Sequence, residues 1–197
     1  MCLATSDDLY RWELDPANPV LRPPAWALDP GKSGHSWIQP LGDRYLVYYT
    51  AQTAAASCAG LYSTPDFRVF TDHGPVFCLP YQMRGTVNIE AAMAFPREGV
   101  WHFFCNSGTG TYHAVSNRPD RFSGLLEGEE GPWRDRTLLQ SYCLGPFHAA
   151  RVFRDPVSGT WYMSATRKEE QRRMNRKAGL DVFRGSMRDE SPLTEGL

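Results

Sequence analysis

The sequence predicts an all-β fold, a β-propeller built of four-stranded blades, and two observations carry that reading. Three β-hairpins share one layout, in which a mostly apolar strand leads through a Gly-containing turn into a strand with aromatic residues. The segments that follow the hairpins also recur in order, with a period of about 55 residues, within the range of propeller blades.

The hairpins pair predicted strands 37–41 with 45–49, 91–95 with 100–104, and 149–153 with 160–163. Behind the first come Ala59-Gly-Leu-Tyr-Ser-Thr-Pro-Asp-Phe67 and Gly74-Pro-Val-Phe77; behind the second comes Thr111-Tyr-His-Ala-Val-Ser116. The opening stretch, Leu3-Ala-Thr-Ser-Asp-Asp-Leu9 followed by Asn18-Pro-Val-Leu21, matches that same second half, with Ser6, Ser63 and Ser116 at corresponding points. The repeat therefore gives the back half of one blade, two full blades and most of another, about three and a half in all. The competing architecture is a β-sandwich of similar short strands, which suits hairpins of this spacing but not the repeated order of motifs. Residues 1–197 read as a single, partial propeller domain, with 188–197 as a flexible polar tail.

Composition excludes several functions. With 21 basic against 22 acidic residues there is no global field to draw nucleic acid, and no apolar run approaches a membrane span. The opening residues have no signal-peptide pattern, which leads to the expectation of a cytoplasmic protein. Five cysteines show neither CxxC nor other metal-ligand spacing, so reduced thiols, no metal and no cofactor are expected. Glu127 to Arg136 reads as a surface loop, and the basic stretch Arg167 to Lys177 as a solvated loop or short helix without an apolar stripe.

In a propeller the first strand of each blade runs beside the central channel, so equivalent residues on successive first strands face one cavity. Counting back from the hairpins places His35, Glu90 and His148 at one repeat position. A carboxylate planted in the apolar run Ile89-Glu-Ala-Ala92 needs such a cavity or a buried partner, and burial there would raise its pKa. Asn88 lies two residues before it on the same strand face, and Trp37 and Tyr112 offer aromatic surface for a sugar ring. The Gly-rich loop between Asn106 and Tyr112 lacks the spacing of a nucleotide site and reads as a hairpin loop.

The order of SDDLYRW, GDRYLVYYTA, the Ser-Thr-x-Asp-Phe segment, the early Glu ahead of G-x-W-x-F-F and GPFHAARVF before WYMS resembles five-bladed β-propeller glycosidases over residues 3–165. These are glycoside hydrolase family 43 and the related fructosidase families 32 and 68. The resemblance implies hydrolysis of glycosidic bonds in oligo- or polysaccharides of the arabinoside, xyloside or fructoside kind, with Glu90 as general acid. It also implies an Asp base on the first blade and an Arg-Asp-Pro motif on the second. This chain departs at both places: the base blade is represented only by its second half, and Gly34-His35-Ser36 stands where Arg-Asp-Pro is expected. Asp29, in Leu28-Asp-Pro30, is the substitute carboxylate, while Asp155 in Arg154-Asp-Pro156 sits where ordinary turn chemistry applies. Glycoside hydrolysis needs two carboxyl groups across the scissile bond. Two alternatives therefore stand beside the enzyme: an inactive carbohydrate-binding relative, and an interaction platform. Open blade edges further suggest self-association.

Overall fold

The computed structural model describes residues 1–28, 34–81, 88–107, 110–122, 138–143, 147–167 and 181–184, and all regular structure in them is β. A two-stranded ladder, β1 (Ala4–Thr5) with β2 (Glu13–Leu14), opens the chain. Two four-stranded meanders follow. The first is β3 (Gly34–Leu41), β4 (Arg44–Gln52), β5 (Ala56–Thr64) and β6 (Thr71–Pro80); the second is β7 (Glu90–Arg97), β8 (Val100–Ser107), β9 (Gly110–Ser116) and β10 (Leu138–Cys143). The last sheet is β11 (Phe147–Arg154), β12 (Trp161–Arg167) and β13 (Asp181–Arg184). All pairings are antiparallel. The tail 188–197 and the stretches 127–136 and 168–177 lie outside the described residues.

The two four-stranded sheets each pack both faces against neighbours, which is what makes them blades rather than the two layers of a sandwich. Along β4, Val47, Tyr49 and Ala51 pack with Tyr62 against Met1, Leu21, Trp26 and Phe70. Leu46 and Tyr48 point the other way, into a cluster with Phe77 of the same sheet and Ile89, Ala94 and Phe103 of the next blade. Phe104, one residue from Phe103, turns to Met93, Phe95 and Val152 at the following junction. Alternate residues on a strand face opposite sides, so strands buried on both faces read as continuous apolar runs such as Tyr45-Leu-Val-Tyr-Tyr49. Burying each such side chain fully contributes roughly 1.5–3 kcal/mol.

The first strands meet: β7 touches both β3 and β11. Position within this set decides exposure. Ile38, Ala94 and Val152 occupy one repeat position, yet Ile38 is 41% exposed where the others are 0% and 5%. β7 has a neighbour on each side, whereas the outer face of β3 looks onto the opening segment. There a cavity of about 250 Å³ is lined by Met1, Leu21, Gly34, Ser36, Tyr49 and Tyr62.

Gly60 allows the close approach beneath that cavity. A Cβ there would lie 2.4 Å from the Tyr49 ring and 2.8 Å from Trp26. Gly60→Ala is expected to destabilise the fold by about 1–3 kcal/mol, as overpacking does, measurable by urea unfolding.

Three readings of the sequence change. Cys58 and Cys78 are directly opposite in the β5–β6 register and form a disulfide, against the expectation of reduced thiols. Their separation of 20 residues carries no spacing signature, because the bulged register of two neighbouring strands brings them together. Replacing both by serine is expected to lower stability by about 2–4 kcal/mol, and dithiothreitol should do the same to the native chain only.

The repeated Ser is also displaced by one residue. The hydroxyls that accept from the next turn are Ser6 (from Leu9 N, 2.8 Å), Thr64 (from Phe67 N, 2.8 Å) and Ser116 (from Arg118 N, 3.1 Å), so Thr64 and not Ser63 is the equivalent. Finally, Pro96 and Arg97 belong to β7, opposite Trp101 and Val100. The turn is only Glu98-Gly99, both with positive φ (50° and 84°), as a two-residue hairpin loop of the primed type requires.

Candidate functional site

The ladders also change which residues share the repeat position of Glu90. In each first strand a β-bulge sets three steps against two: Gly34 to Trp37 opposite Thr50 to Tyr48, Glu90 to Met93 opposite Asn106 to Phe104, and His148 to Arg151 opposite Thr166 to Ser164. The equivalent residues are therefore Gly34, Glu90 and His148. His35 is one step further on, equivalent to Ala91 and Ala149, and is corrected as a partner of Glu90 at that position. The sequence count failed because it left Arg44 in the turn and so matched Tyr45 with Val100, whereas the ladders pair Arg44 with Leu41 as Val100 pairs with Arg97.

The residue after each equivalent position is left-handed: φ is 51° at His35, 55° at Ala91 and 51° at Ala149. A side chain in that conformation costs about 1–3 kcal/mol, and strain of this kind clusters at functional sites. A bulge re-aims the side chains beside it. Three copies of the same strained bulge, each near the start of a first strand, make this the candidate site.

Glu90 is half-buried and begins β7. Its strand is tied to the preceding blade just before it and to the following blade just after it. Ile89 N donates to Ser57 Oγ at 2.7 Å, and Gln52 Nε2 donates to Asn88 Oδ1. Beyond Glu90, Arg151 Nη1 donates to the Ala91 carbonyl at 2.8 Å. Asn106, 1% exposed and opposite Glu90, accepts from Ala149 N at 3.1 Å. The carboxylate thus stands on backbone fixed from both sides, with the exposed Asn88 at the same mouth. That is the rigid support a proton donor needs.

The other residues named from the sequence divide. Trp37 is half-buried between blades, its Nε1 donating to the Ala94 carbonyl at 3.2 Å, and so serves inter-blade packing. Tyr112 pairs with Cys105, neighbour of Asn106, and therefore lies on the opposite face of the sheet from Glu90; its ring is 6.2 Å from Phe77. The structure does not bring it to Glu90. The backbone of His148 holds the Glu90 position, its side chain lying outside the described ones, and Asp29 is outside the described residues. Asp155 is a turn residue as read: its carboxylate accepts from Val157 N at 3.0 Å and from Ser158 N at 3.2 Å. Among the described residues no three His, Cys, Asp or Glu side chains gather as a metal site.

Sequence reasoning missed Asn106, Gln52 and Arg151, whose roles depend on contacts between blades. It also missed a buried pair on the face of the second blade toward the third. His102 Nδ1 and His113 Nε2 are 3.0 Å apart, in a stack running Trp161, Phe95, His102, His113 and Phe104. Burial pulls the His102 pKa down to about 4, with the Arg97 cation adding to it. Burial, and then His102, pull that of His113 down to about 3.

No family model matches the sequence, and no curated protein matches it. Solved structures do match. Sucrose-6-phosphate hydrolase from Lactobacillus gasseri aligns with a TM-score of 0.64 at 15% identity, covering 95% of this chain and 40% of that one. The family 32 beta-fructofuranosidase of Bombyx mori, in complex with sucrose, gives 0.56 at 15% identity over 84% of this chain and 36% of that one. The endo-arabinase of Bacteroides thetaiotaomicron gives 0.54 at 15% identity over 78% and 50%. The chain thus spans between about a third and half of the length of these proteins. Its fold is that of part of a β-propeller glycoside hydrolase.

Proposed function

We propose that this chain carries the proton-donating half of a glycoside hydrolase site, with Glu90 as general acid toward an oligo- or polysaccharide of the arabinoside, xyloside or fructoside kind. The observation that carries this reading is the strained bulge at Ala91, with Glu90 braced by hydrogen bonds to both neighbouring blades. In such a site the acid protonates the leaving oxygen while a second carboxylate activates water or attacks the anomeric carbon. His148 shares the repeat position of Glu90, and the partner carboxylate is Asp29 or a residue outside this stretch of chain.

One observation favours a second reading, a carbohydrate-binding propeller without turnover. Gly34 holds the equivalent position on β3, and the space a Cβ would fill there is open to 4 Å. A blade that offers no side chain at that point removes one possible charge from the channel.

Hydrolysis of nitrophenyl arabinofuranoside, nitrophenyl xyloside, sucrose and kestose tests the first reading. Turnover of sucrose, kestose or another poor-leaving-group glycoside that Glu90→Gln lowers by orders of magnitude supports it. Sugar binding by calorimetry without any turnover supports the second.

A further inference from the structure

Among the described strands β1 pairs with β2 alone, so one of its edges is open. The backbone groups of Met1 and Leu3 turn to the paired side: Leu21 N donates to the Met1 carbonyl at 3.4 Å, Asp15 N to the Leu3 carbonyl at 3.0 Å, and Leu3 N to Asn18 Oδ1 at 2.8 Å. Alternation along the strand turns those of Cys2 and Ala4 to the other edge, where no described strand lies. The equivalent edges are filled. Ser6 corresponds to Thr64 and Ser116, so β1 takes the place of β5 and β9, which are paired on that side by β4 and β8.

The face of β3 beside this edge is bare in the same way. At the other two junctions the first and second strands of one sheet cover the first strand of the next: Trp37, Leu46 and Tyr48 pack with Ala92 and Ala94, and Met93, Phe95 and Phe104 pack with Val152. The matching positions on β3 are Ser36 and Ile38. Both are exposed, whereas Ala92, Ala94, Ala150 and Val152 are buried. The cavity of about 250 Å³ lies between the two, lined by Met1 and Leu21 of the opening segment and by Gly34 and Ser36 of β3. An open edge, a bare face and a cavity between them have the outline of two strands, the first and second of a blade whose third and fourth are β1 and β2.

We propose that this surface docks an antiparallel β-hairpin of a partner polypeptide. The second strand of the hairpin pairs antiparallel with residues 1–6, as 45–50 pair with 59–64, and its first strand lays apolar side chains over Ser36 and Ile38. Main-chain bonds at Cys2 and Ala4 give affinity, and the apolar contacts decide which hairpin fits. A two-stranded ladder is marginal by itself, and two further strands stabilise it. The hairpins of the described chain are each joined to a third strand of their own, β5, β9 or β13, and are not free to fill the place. Nor does a second copy fit by pairing β1 with β1. The two-fold axis of such an antiparallel pair runs through the sheet and would bring both β3–β6 sheets onto one face, the face that Val47 and Tyr49 already cover. The docking surface is independent of the role of Glu90.

Hairpin peptides with the sequences of residues 34–52 and 90–107, and shuffled peptides of the same composition, are the probes, titrated into the chain by calorimetry and followed by hydrogen exchange at residues 1–6. At least one hairpin is expected to bind one to one and to slow exchange of the Cys2 and Ala4 amides about tenfold or more, while the shuffled peptides do neither. Ile38→Lys, which sets a charge beneath the hairpin, and Ala4→Pro, which removes an edge donor, should each weaken binding about tenfold or more. Val157→Lys, at an exposed residue on the turn of the last hairpin, should leave it unchanged, circular dichroism confirming that each variant folds. Binding by neither hairpin, or binding that ignores Ile38→Lys, would overturn the proposal. So would slow exchange at Cys2 and Ala4 in the chain alone: independent of protein concentration, it would assign the edge to residues of this chain, and rising with concentration, to a second copy. Protection seen only with the hairpin fused ahead of Met1 would overturn it in favour of a segment of the same polypeptide.

Discussion

Stability is expected to fall steadily as the pH drops from 6.5 toward 3, through the paired imidazoles of His102 and His113. Both folded-state pKa values lie below the ordinary 6.5, at about 4 and about 3. Above 6.5 the imidazoles are neutral folded or unfolded, and the pair adds no pH dependence. Below it the unfolded chain takes up protons that the folded chain refuses, so the folded state loses ground down to the folded values. His113 is 5% exposed, and its loss runs at up to about 1.4 kcal/mol per pH unit. Because His102 stacks on Phe95, and Phe95 on Trp161 of the next blade, the acid lesion falls at the junction of the second and third blades. Urea unfolding at pH 7 and pH 4.5 should show a drop of on the order of 2 kcal/mol from His113 alone. In His113→Phe, which keeps a ring against Phe104, that share of the drop should vanish. An unchanged drop in the variant would place the acid sensitivity elsewhere.

Glu90→Gln is expected to leave folding intact and to reduce hydrolysis by about 10²–10⁴-fold, the usual worth of a positioned general acid. Gln has nearly the same shape, so the bracing of β7 by Ser57 and Arg151 is kept. What it lacks is a proton to give. The loss should therefore sit in kcat rather than in KM, because the interaction removed is one made in the transition state. A mere binding role for Glu90 would move KM instead.

Much of the fold was legible because blades impose a repeat. Tyr45-Leu-Val-Tyr-Tyr49 and Val100-Trp-His-Phe-Phe104 advertise strands buried on two faces, and Glu90 was visible as a charge in an apolar run. The limits of legibility have physical causes. The bulges at His35, Ala91 and Ala149 are backbone events that no side chain in those triplets signals, and His35 was matched to Glu90, when Gly34 is its equivalent, because Arg44 reads as a turn residue yet pairs with Leu41. The Cys58–Cys78 bond depends on the bulged register between β5 and β6. Arg151, Asn106 and Gln52 gain their roles only when one blade meets the next. In the sequence they are ordinary polar residues.

The most direct test of Glu90 as proton donor is the dependence of its loss on the leaving group. For the preferred glycoside, kcat/KM would be measured for native chain and Glu90→Gln on a series from dinitrophenyl, which departs without a proton, to an alkyl or sugar alcohol, which does not. The expected result is a small loss on the dinitrophenyl glycoside and a loss of several hundredfold or more on the poor leaving groups, in line with the worth of general acid catalysis. An equal loss across the series would contradict the assignment, since a residue that acts on every leaving group alike is not the one that protonates it.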